Sequence, residues 1–356
     1  MKGLIIAGGP GTRLRPLTYN TPKPIVPVVN QEFLKHQIEF LKSQGITEII
    51  LNLHYLPHLI EKVFGDGSKL GVKIYYSIEK NPLGTAGAVK NAEQFFDGEP
   101  LIVFNGDVLT SINLSKMIGL HLSKKSKATL ALTPVEDPTA YGLVITEGDG
   151  RIKEFLEKPG WELVQGMKKF EINAGIYILD PSIFKDVPKD THYMFEHDLF
   201  PKLLREGTPM YGYPSNSYWI DIGNLKKYKQ VHEDILRGDI AVRIYGTRHP
   251  EGYWIGNKVE LADSVKIIGP AFIGDKVKIK PDTVIKDYSV VEDCVEIGDH
   301  SVLDHTIVWK GCKIGSHVKL TDCVLGFNCK IEDYCNLKGI VLADNSIIAK
   351  GSVINV

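Results

Sequence analysis

The turn GGPGTRLRPLT (8–18) follows at once on the apolar run LIIA (4–7), and its composition suits an anion. Glycines leave backbone N–H groups free of Cβ interference, so amides can point at phosphate oxygens. Arg13 adds a planar fork of donors that matches phosphate geometry. The turn is not a dinucleotide fingerprint, because Leu14 stands where the third glycine would be, and it is not a Walker A loop, because no GK[ST] follows. Lys23 lies in TPKPIVP (21–27), where flanking prolines stiffen the backbone and aim the ammonium. Two acids, Asp107 in NGD and Asp221 in WIDIG, each end a strand-like run. Each reads first as a cap or turn residue, and each is also a hard-oxygen group of the kind Mg²⁺ takes, one or two at a time, with substrate phosphates.

These residues need a frame. From residue 2 to about 237 the pattern is strand, then helix, repeated. EIILNL (48–53), VKIYYS (72–77) and PLIVFNGD (100–107) read as strands, as do TLALTPV (129–135) and EINAGIYIL (171–179). Residues 31–43 carry apolar positions at helical spacing, Thr85 is placed to cap the helix AGAVKNAEQFF, and a last helix covers 224–236. Alternation of this kind predicts an α/β, doubly wound, Rossmann-like domain with a parallel sheet. Such sheets bind ligands beyond the carboxyl ends of their strands. The chemistry is therefore expected at 8–13, 79–87 and 105–107.

From Ile255 the period becomes six. Apolar anchors recur at Ile255, Leu261, Ile267, Ile273, Ile279, Ile285, Val291, Ile297, Leu303 and Trp309. The phase then slips by one residue at Ile314, again at Leu325 and again at Leu342. Small or β-branched residues follow four positions later, from Val259 and Val265 to Val295 and Ser301. This is the hexapeptide signature of a parallel β-helix, with room for five to six coils. The expected organisation is a catalytic domain (1–238), a linker (239–254) and the β-helix (255–356).

The composition narrows the partners. With 42 basic and 43 acidic residues the formal net charge is −1, so nothing draws the chain toward nucleic acid or an anionic membrane. No apolar run reaches membrane-spanning length, and a cytoplasmic protein is expected. All five cysteines fall in the last quarter without a CxxC pair, and they read as small buried residues of a reducing compartment.

GGxGTRLxPLT followed by a KP pair resembles the signature of the sugar-nucleotide pyrophosphorylases, which are nucleotidyltransferases. LGTAGA (83–88), NGD (105–107), YGLV (141–144), FLEKP (155–159), NAGIYIL (173–179) and WIDIG (219–223) extend the likeness over nearly the whole chain. The β-helix tail makes it most similar to the mannose-1-phosphate guanylyltransferase branch, whose β-helix is left-handed. Glu32 departs from the pattern, which has proline there.

The resemblance implies an enzyme that joins GTP and mannose-1-phosphate into GDP-mannose and releases pyrophosphate. It implies Mg²⁺ held by Asp107 and Asp221. Ala7, Gly8, Gly9, Gly11, Thr12 and Arg13 would bind the nucleotide phosphates, with Lys23 near the α-phosphate. Glu157, Asn173 and Gly142 would meet the sugar, and Lys158 its phosphate. Gly84, Thr85 and Gly87 would leave room for a purine. Guanine presents two donors on its Watson–Crick edge, which one carboxylate accepts, and Glu79 stands where the fold places the base.

Three other readings compete. Adenylyl, uridylyl or thymidylyl transfer to glucose-1-phosphate keeps the chemistry and changes the substrates. A hexapeptide acyltransferase would use a histidine such as His300, His305 or His317. A non-catalytic regulatory subunit would bind GTP without turnover. The β-helix is expected to mediate homo-oligomerisation.

Overall fold

The computed structural model describes residues 1–167 and 169–356. The chain divides into two compact units. One comprises Met1–Pro10 and Gln37–Asp221; the other comprises Gly11–His36 and Ile222–Val356. The division thus runs through the glycine-rich turn.

The first unit is built on a mixed sheet. Lys73–Ile78, Glu48–Leu53, Gly3–Ile6 and Leu101–Asn105 lie side by side in that order, all parallel. Their near-continuous apolar runs suit strands covered on both faces. The chain goes first to one side of Gly3–Ile6 and later to the other, so the strand order reverses between Gly3–Ile6 and Leu101–Asn105. Ala7 and Gly106 follow the two strands that flank this reversal, where such sheets are expected to bind ligands. Beyond Leu101–Asn105 the sheet is not parallel as expected. Phe170–Leu179 runs antiparallel to Leu101–Asn105 and to Ala128–Val135. Gly142–Thr146 and Ile152–Glu157 form an antiparallel pair at the edge. Only five residues join these last two strands, too few for a parallel crossover.

In the second unit the β-helix forms three parallel sheets, each with six coil strands, which gives six coils. The coil interior is filled by the predicted anchors from Ile255 to Ile348 with one exception. Val308, not Trp309, pairs with Val291 and joins the interior cluster. The first slip of phase therefore falls between Leu303 and Val308. Trp309 is fully buried outside the coil interior, where its ring lies 4.8 Å from that of Phe327. Cys312, Cys323, Cys329 and Cys335 are buried in the coil cluster, and Cys294 is exposed at a corner with φ 57°.

Candidate active site

In the first unit the site starts at the sheet's reversal point. The Gly106 amide donates to the Ile6 carbonyl at 2.8 Å, and a Cβ on Gly106 would stand 2.6 Å from that oxygen. Glycine is thus required for the NGD turn to close against the end of the first strand. Gln37 holds the turn from the helix Phe33–Ser43. Its Nε2 donates to the carbonyls of Asn105 (2.9 Å) and Val108 (2.7 Å), which bracket Gly106 and Asp107.

Val108–Thr110 then pairs antiparallel with Trp219–Asp221, and Asp221 is the cross-strand partner of Val108. This pairing makes the backbones of Asp107 and Asp221 adjoin. Tyr141 donates its hydroxyl to Asp221 Oδ2 at 3.1 Å, and Trp219 donates Nε1 to the Ala174 carbonyl at 2.8 Å. Carboxylates are hard-oxygen groups of the kind Mg²⁺ prefers, and these two rise from adjoining backbone.

The residues expected to meet the sugar also converge. Gly142 is the strand partner of Glu157, and a Cβ on Gly142 would meet Glu157 Oε2 at 2.9 Å. Lys158 has φ 46°, its amide donates to the Tyr141 carbonyl, and its ammonium lies 3.2 Å from Glu157 Oε1. Asn173 donates to the Tyr177 hydroxyl at 2.9 Å and accepts from the Gly175 amide.

Sequence reasoning missed two members of this group, Tyr177 and Glu196. Burial and the carboxylates of Glu196, Glu157 and Asp107 push the Tyr177 phenol well above its usual range. Burial, helped by Glu157, raises the Glu196 carboxyl. Tyr177 lies inside the quoted run NAGIYIL, but Glu196 carries no spacing signal, because long-range packing places it.

Glu79 is buried, and its Oε2 accepts from the Leu83 amide at 2.9 Å. Burial raises its carboxyl above the ordinary range, while the Leu83 amide and the Asn52 side chain oppose the shift. The helix that follows, Gly84–Asn91, differs from expectation. Thr85 is not its cap but lies inside its first turn. The Thr85 hydroxyl donates to Glu196 Oε2 at 3.0 Å and accepts from the Phe195 amide at 2.7 Å.

Gly84 and Gly87 are also required by the packing of their own chain. Gly84 has φ 72°, and a Cβ there would meet Met194 Sδ and the Tyr193 carbonyl at 2.8 Å. A Cβ on Gly87 would lie 2.6 Å from the Thr191 carbonyl. At the side-chain positions of Gly84 and Gly87 the chain's own segment 191–194 leaves no room for a Cβ. Gly8 and Ala7 follow the first strand, with the Ala7 amide donating to the Asn52 carbonyl at 2.8 Å.

The second unit holds Gly11, Thr12, Arg13 and Lys23. Gly11 has φ 61°, a left-handed conformation that favours glycine. It opens a 3₁₀ turn, Thr12–Leu14, whose Leu14 is buried while Arg13 is exposed. The Thr18 hydroxyl donates to the Gly11 carbonyl at 2.8 Å. A Cβ on Gly11 would stand 2.9 Å from Lys23 Cβ, so the turn and the lysine segment pack on each other.

His300 and His317, considered for acyl transfer, lie on a corner of the β-helix with their rings stacked at 4.9 Å. No helix among the described residues is long and apolar enough to cross a membrane.

Residues 267–356 match the GMPPB C-terminal domain. Over 302 residues the chain is 34% identical to the mannose-1-phosphate guanylyltransferase of Mycobacterium tuberculosis, covering 85% of this chain and 82% of the relative. It is 33% identical over 325 residues to the UTP–glucose-1-phosphate uridylyltransferase of Synechocystis sp., covering 87% and 83%. Among solved structures, HddC from Yersinia pseudotuberculosis complexed with GMP-PN aligns with a TM-score of 0.56 and 33% identity, over 66% of this chain and 99% of that one. Residues 2–238 match the family described as Nucleotidyl transferase, and the chain belongs to that family.

Proposed function

We propose that the protein joins GTP and mannose-1-phosphate into GDP-mannose with release of pyrophosphate. The observation that carries the reading is the pairing that brings Asp107 beside Asp221, at the reversal point of a nucleotidyltransferase sheet.

The nucleophile, a sugar-phosphate oxygen, is already anionic near neutral pH, so no strong base is needed. The barrier comes from repulsion between two phosphates and from charge gathering on the leaving pyrophosphate, and placed cations lower both. Asp107 and Asp221 would hold Mg²⁺, which when bound supplies charge neutralisation between nucleotide and sugar phosphate. Arg13, with the amides of Gly8, Gly9, Gly11 and Thr12 beside Ala7, holds the pyrophosphate. Lys23 stabilises the α-phosphate during in-line attack. Glu157, Asn173 and the Gly142 backbone orient the sugar hydroxyls, and Lys158 binds the sugar phosphate. Glu79 accepts the N1–H and 2-amino donors of guanine, which requires its carboxylate to share itself with Leu83.

Uridylyl transfer to glucose-1-phosphate is the second reading, supported by the Synechocystis relative. A pyrophosphate-release assay over four nucleoside triphosphates and several sugar-1-phosphates tests both. GTP with mannose-1-phosphate should give the highest kcat/KM. A higher value for UTP with glucose-1-phosphate would replace the first reading by the second.

The β-helix supports a homo-oligomer. Its last strands expose Ile347, Val353 and Ile354, apolar groups that a second copy would cover. Light scattering would give a single-chain mass if this assembly is wrong.

A further inference from the structure

We propose that the β-helix is part of the catalytic apparatus, its Trp309 acting through Tyr228 to position the segment that carries Arg13 and Lys23. The inference rests on reading those two cations as phosphate ligands.

The segment Gly11–His36 belongs to the same compact unit as the β-helix. Trp309 stands where the coils shorten, and its indole faces away from the coil interior. Its Nε1 donates to the Tyr228 hydroxyl at 2.9 Å, and that hydroxyl donates to the Pro27 carbonyl at 2.6 Å. Trp309 and Tyr228 are fully buried. Apolar packing alone would be met by any large ring. An indole N–H and a phenol aimed in series at one backbone carbonyl specify where that carbonyl sits. Pro27 is four residues from Lys23, and Lys23 packs against Gly11 at the start of the Arg13 turn.

Further tethers act on the same stretch. The Thr21 hydroxyl donates to Asp344 Oδ2 at 3.2 Å, in the loop before the Ile347–Ile348 coil strand. The Val29 amide donates to His232 Nδ1 at 3.4 Å, and Asn30 Nδ2 donates to the Tyr245 carbonyl at 3.1 Å. Val29 and Asn30, with φ values of 43° and 63°, form the tight turn between Pro27–Val28 and its antiparallel partner Gln31–Glu32, so these tethers grip a compact hairpin. The β-helix and the helix Leu225–Arg237 thus supply what a free phosphate loop would lack, a fixed backbone before the anion arrives. Preorganisation of this kind strengthens anion binding without touching the anion.

Tyr228→Phe tests the relay, since it deletes the bridging hydroxyl and keeps the ring. Thr21→Val removes an independent tether and serves if the first variant does not fold. Calorimetry with inorganic pyrophosphate and Mg²⁺ gives affinity, and hydrogen exchange over residues 11–30 gives order. Steady-state kinetics separates the KM for GTP from that for mannose-1-phosphate. Tyr228→Phe should weaken pyrophosphate about tenfold, raise the KM for GTP, speed exchange over 11–30 and leave the KM for mannose-1-phosphate nearly unchanged. Thr21→Val should shift the same quantities by less. Unchanged pyrophosphate affinity in both variants overturns the proposal, as does a parent protein that does not bind pyrophosphate. A joint rise of both KM values with a large fall in Tm also overturns it, because that marks general destabilisation. If pyrophosphate weakens as expected but no sugar nucleotide forms from any substrate pair, the positioning stands and the assigned reaction fails.

Discussion

Asp221 lies directly across an antiparallel strand pair from Val108, the residue that follows Asp107. Cross-strand Cα atoms are about 4.5–5.5 Å apart, so two acids far apart in sequence rise from adjoining backbone. Asp107→Asn and Asp221→Asn should each lower kcat by roughly a hundredfold or more, as loss of a placed charge at a reacting phosphate does. If both acids serve one cation, the double variant should be little worse than either single variant. Fully multiplicative losses would mean that the two acids act separately.

Glu79 accepts from the Leu83 amide, and its carboxylate is the proposed reader of guanine. Glu79→Gln keeps an acceptor for Leu83 but replaces one oxygen with a donor, which guanine's own donors would oppose. The GTP-to-ATP ratio of kcat/KM should fall by about tenfold or more, with Tm nearly unchanged. A lower Tm with an unchanged ratio would leave Glu79 as a loop brace only.

Gly87 faces its own chain, not open space. In Gly87→Ala the new methyl would meet the Thr191 carbonyl at 2.6 Å. Backbone cannot swing away as a flexible side chain can, so the variant should lose about 1–3 kcal/mol. Denaturant midpoints at constant m-value measure this. Parent-like stability would mean that segment 191–194 yields easily.

Glu292 is a buried carboxyl beneath the Asn30 backbone, in the same unit as the phosphate-directed segment. Its pKa is raised to about 8, first by burial and then by Asp293, with Glu32 adding and Lys310 opposing. Between about 4.5 and 8 the folded protein holds a proton that the unfolded chain has released, so this group's contribution to stability falls as pH rises. His36 and His232 act in the other direction. Burial lowers their pKa values to about 4 and about 3, so protonation of the unfolded chain costs stability as pH falls below 6.5. Glu292→Gln should match the parent in Tm near pH 4.5 and exceed it increasingly toward pH 8. A Tm difference independent of pH would rule out titration of Glu292 in this window.

The strand–helix alternation and the hexapeptide period were legible because each follows from local spacing. An apolar residue every sixth position has one efficient burial, and LIIA before glycines has few. Asp107, Glu157, Lys158 and Asn173 were legible as members of short contiguous motifs. Trp309 was misplaced for the same reason that the other anchors were found. A shift of one residue leaves an apolar side chain at the expected position, and only the pairing of Val308 with Val291 reveals which of the two enters the coil.

Local spacing and residue chemistry thus specified the kinds of element, their order and the groups able to meet phosphate, because these depend on neighbours along the chain. Folding decided the rest. It set Asp221 beside Asp107, filled the space at Gly87 with segment 191–194, brought Glu196 to Thr85, and assigned the Arg13 and Lys23 segment to the unit built on the β-helix. Strand direction, register and buried polar partners depend on residues far apart in the chain, and their free energies appear only when those residues meet.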